Sequence, residues 1–125
     1  MENENNNPFI GMVDVGQAEI ILNQYRRDCP QDTAGTEDLL DKLLEALYEA
    51  EQLVGDANDF HNFSVSIYKF TSDNQKTLKI IEAGLKIYPK NTDLLEDEIK
   101  YGYHCGEREK FKKWYKKLKT MRQTT

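Results

Sequence analysis

Residues 58–91 read NDFHNFSVSIYKFTSDNQKTLKIIEAGLKIYPKN, and residues 92–125 read TDLLEDEIKYGYHCGEREKFKKWYKKLKTMRQTT. The two segments align at a period of about 34 residues, which is the length of a helix–turn–helix repeat. A repeat of this kind cannot bury its apolar side alone, so neighbouring repeats stack and leave a groove open to a partner. This stretch therefore predicts a helical binding module rather than an enzyme.

The spacing of apolar residues predicts six helices joined by short loops. They are expected at about 14–29, 36–54, 58–70, 73–88, 91–105 and 107–121. Thr36 is the predicted N-cap of the second helix, and Gly55 is its predicted stop. A strand at 63–70 is the competing interpretation, because that segment is rich in β-branched and aromatic residues. We predict an all-α fold, an antiparallel array of about six helices.

The apolar spacing also predicts which residues of the last two helices are buried. Leu95, Ile99 and Tyr103 are the core candidates of the fifth helix. In the sixth helix the residues expected to be buried recur at helical spacing; they are Phe111, Trp114, Tyr115, Leu118 and Met121.

The N-terminal residues differ in composition from the rest of the chain. Residues 1–13 are acidic and rich in amides, which predicts a mobile tail ahead of one helical-repeat domain over 14–125. The apolar side chains in this tail are the exception and are expected to dock onto the folded body; they are Phe9, Ile10 and Met12.

The composition predicts a water-soluble chain. Charged residues make up 31% of its 125 residues, and the mean hydropathy is -0.77. No stretch approaches the roughly 20 apolar residues that span a bilayer, and the N-terminus lacks the pattern of a secretory signal. We therefore expect a cytoplasmic protein without membrane segments, in which Cys29 and Cys105 are reduced thiols.

Motifs of catalysis, metal binding and cofactor binding are missing from the sequence. There is no P-loop, no GxGxxG after a strand, no HExxH and no zinc-ligand spacing. His104 and Cys105 are adjacent, and neighbouring side chains on a helix diverge by about 100°, so they do not form a dyad. We expect no enzymatic activity, no cofactor and no metal.

Charge is divided unevenly along the chain. Residues 107–125 carry eight Lys or Arg against two Glu, a formal charge of +6, whereas residues 1–106 carry 9 basic and 20 acidic residues, or −11. The acidic residues are densest in 36–59. Asymmetry of this size is typical of a chain with a charged partner, or of acidic and basic helices that meet.

Several positions of the 34-residue period carry the residue types of a known repeat. In the first segment these are Tyr68, Thr77, Ile81, Gly84 and Pro89; in the second they are Leu95, Gly106 and Tyr115. On these residues the chain resembles the tetratricopeptide family over about 58–125. It departs from the family where large side chains replace small ones, at Val65, Ile99, Phe111 and Leu118. Larger side chains at these sites would force the helices apart.

The resemblance implies a right-handed helical repeat whose first helices line a concave groove. Its partner-binding residues would be Asn62, Ser66, Lys69, Phe70, Asp93, Glu96, Lys100 and Tyr103. This mixture suits a peptide or protein partner, because polar groups bond a backbone and aromatic groups pack side chains. The implied function is a non-catalytic adaptor, scaffold or regulatory subunit, alone or within a larger complex. Ordinary solvated surface is the alternative interpretation of these residues.

The basic last helix supports a second hypothesis, a nucleic-acid or nucleoprotein accessory factor using residues 107–122. Two rows of lysines run along this helix, Lys110, Lys113 and Lys117 on one side and Lys112, Lys116 and Lys119 on another. Lysines beside aromatic rings can hold phosphates while bases stack. The predicted burial of Trp114 and Tyr115 weakens this hypothesis. Self-association, with the acidic stretch 37–59 of one copy meeting the basic helix of another, is a third.

Overall fold

The computed structural model describes residues 7–49, 53–106 and 108–123, and these contain six α-helices. The helices are α1 (Val15–Asp28), α2 (Thr33–Glu49), α3 (Ala57–Thr71), α4 (Asn74–Ile87), α5 (Thr92–His104) and α6 (Arg108–Gln123). No strand occurs within these ranges, so the all-α prediction is confirmed and the alternative strand at 63–70 is wrong. None of the described helices is both long and apolar enough to cross a membrane.

The chain divides into two compact units, Met1–Gly55 and Asp56–Thr125, here called the N-terminal and C-terminal units. The N-terminal unit holds 3 basic and 12 acidic residues, a formal charge of −9, and the C-terminal unit holds 14 basic and 10 acidic residues, or +4. The prediction of a single repeat domain over 14–125 stays a prediction. Each unit is described by itself below.

In the N-terminal unit α1 packs against α2. A capping box starts α1, because the Asp14 carboxylate accepts from the Gln17 backbone amide while the Gln17 side chain accepts from the Asp14 amide. The buried residues of the two helices recur at helical spacing, which gives each helix one apolar stripe. They include Ala18 and Leu22 of α1, and Leu40, Leu43 and Leu47 of α2.

The start of α2 differs from the sequence prediction. The helix begins at Thr33, and the carboxylate of Asp32 accepts from the Gly35 backbone amide at 2.8 Å. Thr36 is instead buried inside the helix, where its hydroxyl donates to the backbone oxygen of Asp32 at 2.9 Å. Asp32 also accepts a hydrogen bond from the Tyr25 hydroxyl, which ties the cap to α1. The prediction of Thr36 as the N-cap is therefore wrong, because Asp32 is an equally good capping residue one turn earlier.

The end of α2 also differs from the prediction. Described helical structure ends at Glu49, and Ala50 lies outside the described residues. Val54, which helical spacing after Leu40, Leu43 and Leu47 would place in the apolar stripe of α2, is non-helical and 64% exposed. Its backbone oxygen accepts a hydrogen bond from the Val15 amide at 3.1 Å, which holds this connection against the start of α1.

The segment before α1 is fastened to α2 by Asn7. The Asn7 amide nitrogen donates to the Lys42 backbone oxygen at 2.6 Å and to the Glu45 carboxylate at 2.9 Å. Residues 7–13 therefore lie against the unit through a buried amide rather than forming a free tail, and residues 1–6 lie outside the described residues. Met12, expected to dock, is 71% exposed, whereas Phe9 and Ile10 are half-buried.

In the C-terminal unit each helix packs against the next, and α3 also contacts α5. Caps set the boundaries: Asp56 starts α3 with a capping box, Asp73 accepts from two amides of α4, and Asn91 accepts from the Leu94 amide of α5. Ser72, with φ of 56°, ends α3 in the left-handed region, and Gly106, with φ of 78°, follows α5. The sequence offers Ser72 or Asp73 as the cap of α4 and Asn91 or Thr92 as the cap of α5, and the structure uses Asp73 and Asn91.

Two glycines allow close helix contacts in this unit. A Cβ atom on Gly84 of α4 would lie 2.8 Å from Cγ of Phe60 in α3, and Phe60 is fully buried. A Cβ atom on Gly102 of α5 would overlap the ring of Trp114 in α6. Both helix pairs therefore approach to a distance that only glycine permits without displacement of a neighbour.

Two tyrosines that the sequence analysis assigned to the core are exposed. Tyr103 is 48% exposed and Tyr115 is 55% exposed. Each follows the residue that makes the close α5–α6 contact, Gly102 and Trp114 respectively. Because adjacent side chains on a helix diverge by about 100°, a residue next to that contact is turned toward the edge of the helix pair. Leu95 and Leu118 are buried as predicted, whereas Ile99, Phe111, Trp114 and Met121 are half-buried.

Candidate functional site

Helices α3 and α5 lie side by side and run in the same direction. Nδ1 of His61 lies 2.5 Å from a carboxylate oxygen of Asp97, and the rings of Tyr68 and Tyr101 lie 5.5 Å apart. His61 precedes Tyr68 in α3 and Asp97 precedes Tyr101 in α5, so the two helices are parallel. The residues of the two contacts are 36 and 33 positions apart in the sequence. The exposed residues of α3 and α5 therefore form one continuous surface, here called the α3–α5 face.

Most of the predicted partner-binding residues reach this face. Asn62 and Lys69 of α3 and Asp93, Lys100 and Tyr103 of α5 are all exposed. Three predicted residues are placed differently. Ser66 is buried, at 6% exposure, so its predicted place in the groove is wrong. Phe70 is half-buried, and the half-buried Glu96 forms an ion pair with Arg122 of α6.

Two apolar members of the face were not predicted from the sequence. Val65 is 42% exposed and Tyr68 is 37% exposed, although Val65 was expected where neighbouring helices approach. The buried residues Phe60, Phe63, Ser64 and Ile67 define the core side of α3, and Val65 lies on the opposite side. The helical spacing of these four residues could have identified Val65 as exposed, because position 65 lies outside the side of the helix that they form.

Charge changes sign along the α3–α5 face. Asp93, in the first turn of α5, makes the N-terminal end acidic, whereas Lys69 in the last turn of α3 and Lys100 make the C-terminal end basic. The Lys69 ammonium lies 5.9 Å from the Phe70 ring centroid, and the Lys100 ammonium lies 5.2 Å from that of Tyr101. An ammonium group over a ring is attracted by the negative face of the ring, which restricts the positions of both lysines.

His61 and Asp97 link the two helices under this face. Asp97 is only 8% exposed, and this burial raises the pKa of its carboxyl group despite the hydrogen bond from His61. The nearby Ser64 hydroxyl donates to the backbone oxygen of His61 at 2.6 Å, so it is directed at the main chain rather than at the imidazole. Burial also raises the pKa of the Tyr101 hydroxyl. The arrangement acts as a polar link between helices and does not align a hydroxyl nucleophile with the imidazole.

A cavity of about 460 Å³ opens at the C-terminal ends of α3 and α5, beside the start of α4. Its lining is polar and comprises Thr71, Ser72, Asp73, Asn74, Gln75, His104 and Cys105. The side-chain oxygen of Asn74 is buried and accepts no hydrogen bond from the described residues. Buried polar atoms in folded proteins are nearly always paired, with protein groups or with ordered water.

The lysines predicted for nucleic-acid binding all lie on the surface of α6. Lys110, Lys112, Lys113, Lys116 and Lys117 are exposed. Trp114 packs against Gly102 and is not presented to solvent as the sequence hypothesis required. Tyr115 is exposed, and it continues a row of rings, here called the aromatic ladder, that also contains Tyr103 and Phe111.

Comparison with known proteins identified no relative of this chain. A scan of protein-family models, a search of curated proteins and a search of solved structures each returned no match to the chain. Within residues 7–49, 53–106 and 108–123, no group of three or more His, Cys, Asp or Glu side chains could hold a metal ion. The resemblance to tetratricopeptide repeats stays a prediction.

Proposed function

We propose that the C-terminal unit is a non-catalytic protein-interaction module that holds an extended segment of a partner protein on the α3–α5 face. The observation that carries this proposal is the exposure of Val65, Tyr68 and Tyr103 on two parallel helices. Apolar side chains grouped on a surface are typical of binding sites, and tyrosine is enriched at interfaces. The chain would then act as an adaptor, a scaffold or a regulatory subunit.

A tetratricopeptide-like arrangement of α3 to α6 is part of the proposal. Three features support it: the order in which the helices pack, the direct α3–α5 contact, and contacts between residues separated by close to one repeat length. Cys29 and Cys105 form no disulfide bond within the described residues, which supports the proposed cytoplasmic location.

The charges of the α3–α5 face would set the orientation in which the partner segment binds. Acidic side chains of the segment would lie near Lys69 and Lys100, and basic ones near Asp93 at the other end. Apolar side chains between them would contact Val65 and Tyr68. Complementary charge of this kind selects a register and an orientation more than it adds affinity.

Selection from a displayed library of peptides, followed by calorimetric titration of the best binders into the full chain, tests this proposal. Lys69→Glu combined with Lys100→Glu should weaken binding by about tenfold, or about 1.4 kcal/mol, for the loss of charge-assisted contacts. The melting temperature should stay nearly unchanged, because both lysines are exposed.

The matched control is Lys86→Glu combined with Lys90→Glu, which makes the same change of charge at exposed sites at the end of α4. This variant should retain the affinity of the wild-type chain. Equal losses in the two double variants, or no loss in either, would contradict the assignment of the partner to the α3–α5 face.

A further inference from the structure

The aromatic ladder is a surface that the proposed peptide groove does not use in full. The Tyr103 and Phe111 rings lie 5.2 Å apart, and the Phe111 and Tyr115 rings lie 6.2 Å apart with planes inclined by only 19°. Tyr115, at the open end of the ladder, is 55% exposed. An exposed ring in this position offers a flat surface on which another aromatic group can stack.

Lysines flank the exposed end of this ladder. Lys112 and Lys119 stand three residues before and four residues after Tyr115, so they neighbour its side chain on the helix surface. Both are exposed, as is Lys116 next to them. Lys113 and Lys117 stand two residues before and after Tyr115 and therefore face away from it.

The local charge is strongly positive. Residues 107–125 have a formal charge of +6 and the C-terminal unit one of +4. Among the described residues of α6 the acidic side chain is Glu109, and Glu96 of α5 already pairs with Arg122. A lysine ammonium binds a phosphate as a point charge, and several such charges along one helix can neutralise successive phosphates of a nucleic-acid strand.

From these observations we propose that Phe111, Lys112, Tyr115 and Lys119 form a binding site for single-stranded nucleic acid. An unpaired base stacks on the exposed ring of Tyr115, and the flanking lysines neutralise the phosphates on either side. Every base has a π-face, so the site accepts different sequences. A duplex keeps its bases stacked inside, so it gains the phosphate contacts alone. This function is additional to the peptide groove and does not depend on it.

The test is the fluorescence anisotropy of a labelled oligouridylate of roughly 12 nucleotides, titrated with the full chain over a series of salt concentrations. Tyr115→Leu keeps an apolar contact for Phe111 and removes the stacking surface, so it should raise Kd about fivefold or more. For the two phosphates that Lys112 and Lys119 neutralise, log Kd should rise with log salt with a slope of about 1.4. Lys112→Glu combined with Lys119→Glu should raise Kd and reduce that slope by about 1.4.

The control is Lys113→Glu combined with Lys117→Glu, which changes the charge of α6 equally on the side away from Tyr115. It should raise Kd much less, and circular dichroism should show unchanged helix content in every variant. Equal losses from the two lysine pairs, unchanged affinity in Tyr115→Leu, or duplex bound as tightly as the single strand would each overturn the proposal. Tighter binding of a labelled polyglutamate than of the oligonucleotide would also overturn it, in favour of an acidic protein ligand.

Discussion

Replacing Gly84 by alanine tests the packing that brings α3 against α4. Alanine is favoured over glycine inside a helix by about 1 kcal/mol, so propensity alone predicts a more stable protein. The structure predicts the opposite sign. The new methyl carbon would lie 2.8 Å from Cγ and 2.9 Å from Cβ of Phe60, and these atoms are too close to the backbone of α3 to swing aside.

The size of the effect follows from these two opposing terms. An extra methyl group in a well-packed core costs about 1–3 kcal/mol, and the fully buried Phe60 places this case in the upper part of that range. After the gain in helix propensity, the net loss in the free energy of unfolding should be about 1–2 kcal/mol. For a domain the size of the C-terminal unit, the melting temperature should fall by roughly 4–16 °C.

Urea titration followed by the fluorescence of Trp114 is the appropriate assay. Trp114 is the single tryptophan of the chain and lies in the C-terminal unit, so its signal reports on that unit. Phe60→Leu should cost less in the Gly84→Ala background than in the wild-type chain, with a coupling energy of at least about 0.5 kcal/mol. A Gly84→Ala variant more stable than wild type by about 1 kcal/mol would refute the close contact between the two helices.

Three further predictions concern single groups. The hydrogen bond to Asp32 raises the pKa of Tyr25 to about 12, so a difference titration against Tyr25→Phe should show its ionisation near that pH, and Asp32→Asn should return it to about 10. This bond stabilises the fold below the ordinary tyrosine pKa, and its contribution is lost as the pH rises from about 10 to about 12. Burial raises the pKa of Asp97 above 3.8 even though His61 opposes the shift, so the native state binds the proton more tightly than the unfolded state. Stability from Asp97 is therefore lost as the pH rises above that value, and urea titrations along this rise in pH should show a smaller loss in Asp97→Asn than in wild type. Ser72→Gly should raise the free energy of unfolding by up to about 1 kcal/mol, since glycine adopts the left-handed conformation without a Cβ penalty; a lower midpoint in urea would contradict this.

Local signals placed the starts of α4 and α5 to within one residue. Each start offered two neighbouring capping residues, Ser72 or Asp73 and Asn91 or Thr92, and the structure uses Asp73 and Asn91. At the start of α2 the sequence offers Asp32 and Thr36 one turn apart, and both can cap a helix. The choice between them depends on Tyr25 of α1, which bonds to Asp32 across the helix pair and cannot be read from local sequence.

The candidate site was harder to predict because it depends on which helices meet. Helical spacing identified the apolar positions of α5 and α6, but it does not show how far the contact between the two helices extends around each of them. Tyr103 and Tyr115 lie beyond that contact and were wrongly assigned to the core. The pair formed by His61 and Asp97 joins residues 36 positions apart, and neither has a local motif. The exposed lysines of the face were named through the resemblance to tetratricopeptide repeats, whereas Ser66 was misplaced because a small polar residue fits a core as well as a surface.

The division of charge between the two units affects how the protein behaves on charged matrices. The isoelectric point of about 5.1 averages an N-terminal unit of −9 and a C-terminal unit of +4, and neither unit has that average character. At neutral pH and low salt an anion exchanger would retain the chain through the N-terminal unit, and a cation exchanger would retain it through the C-terminal unit. The two resins would thus hold the chain through different units, and salt would weaken both contacts because they are screened within about 10 Å at 0.1 M.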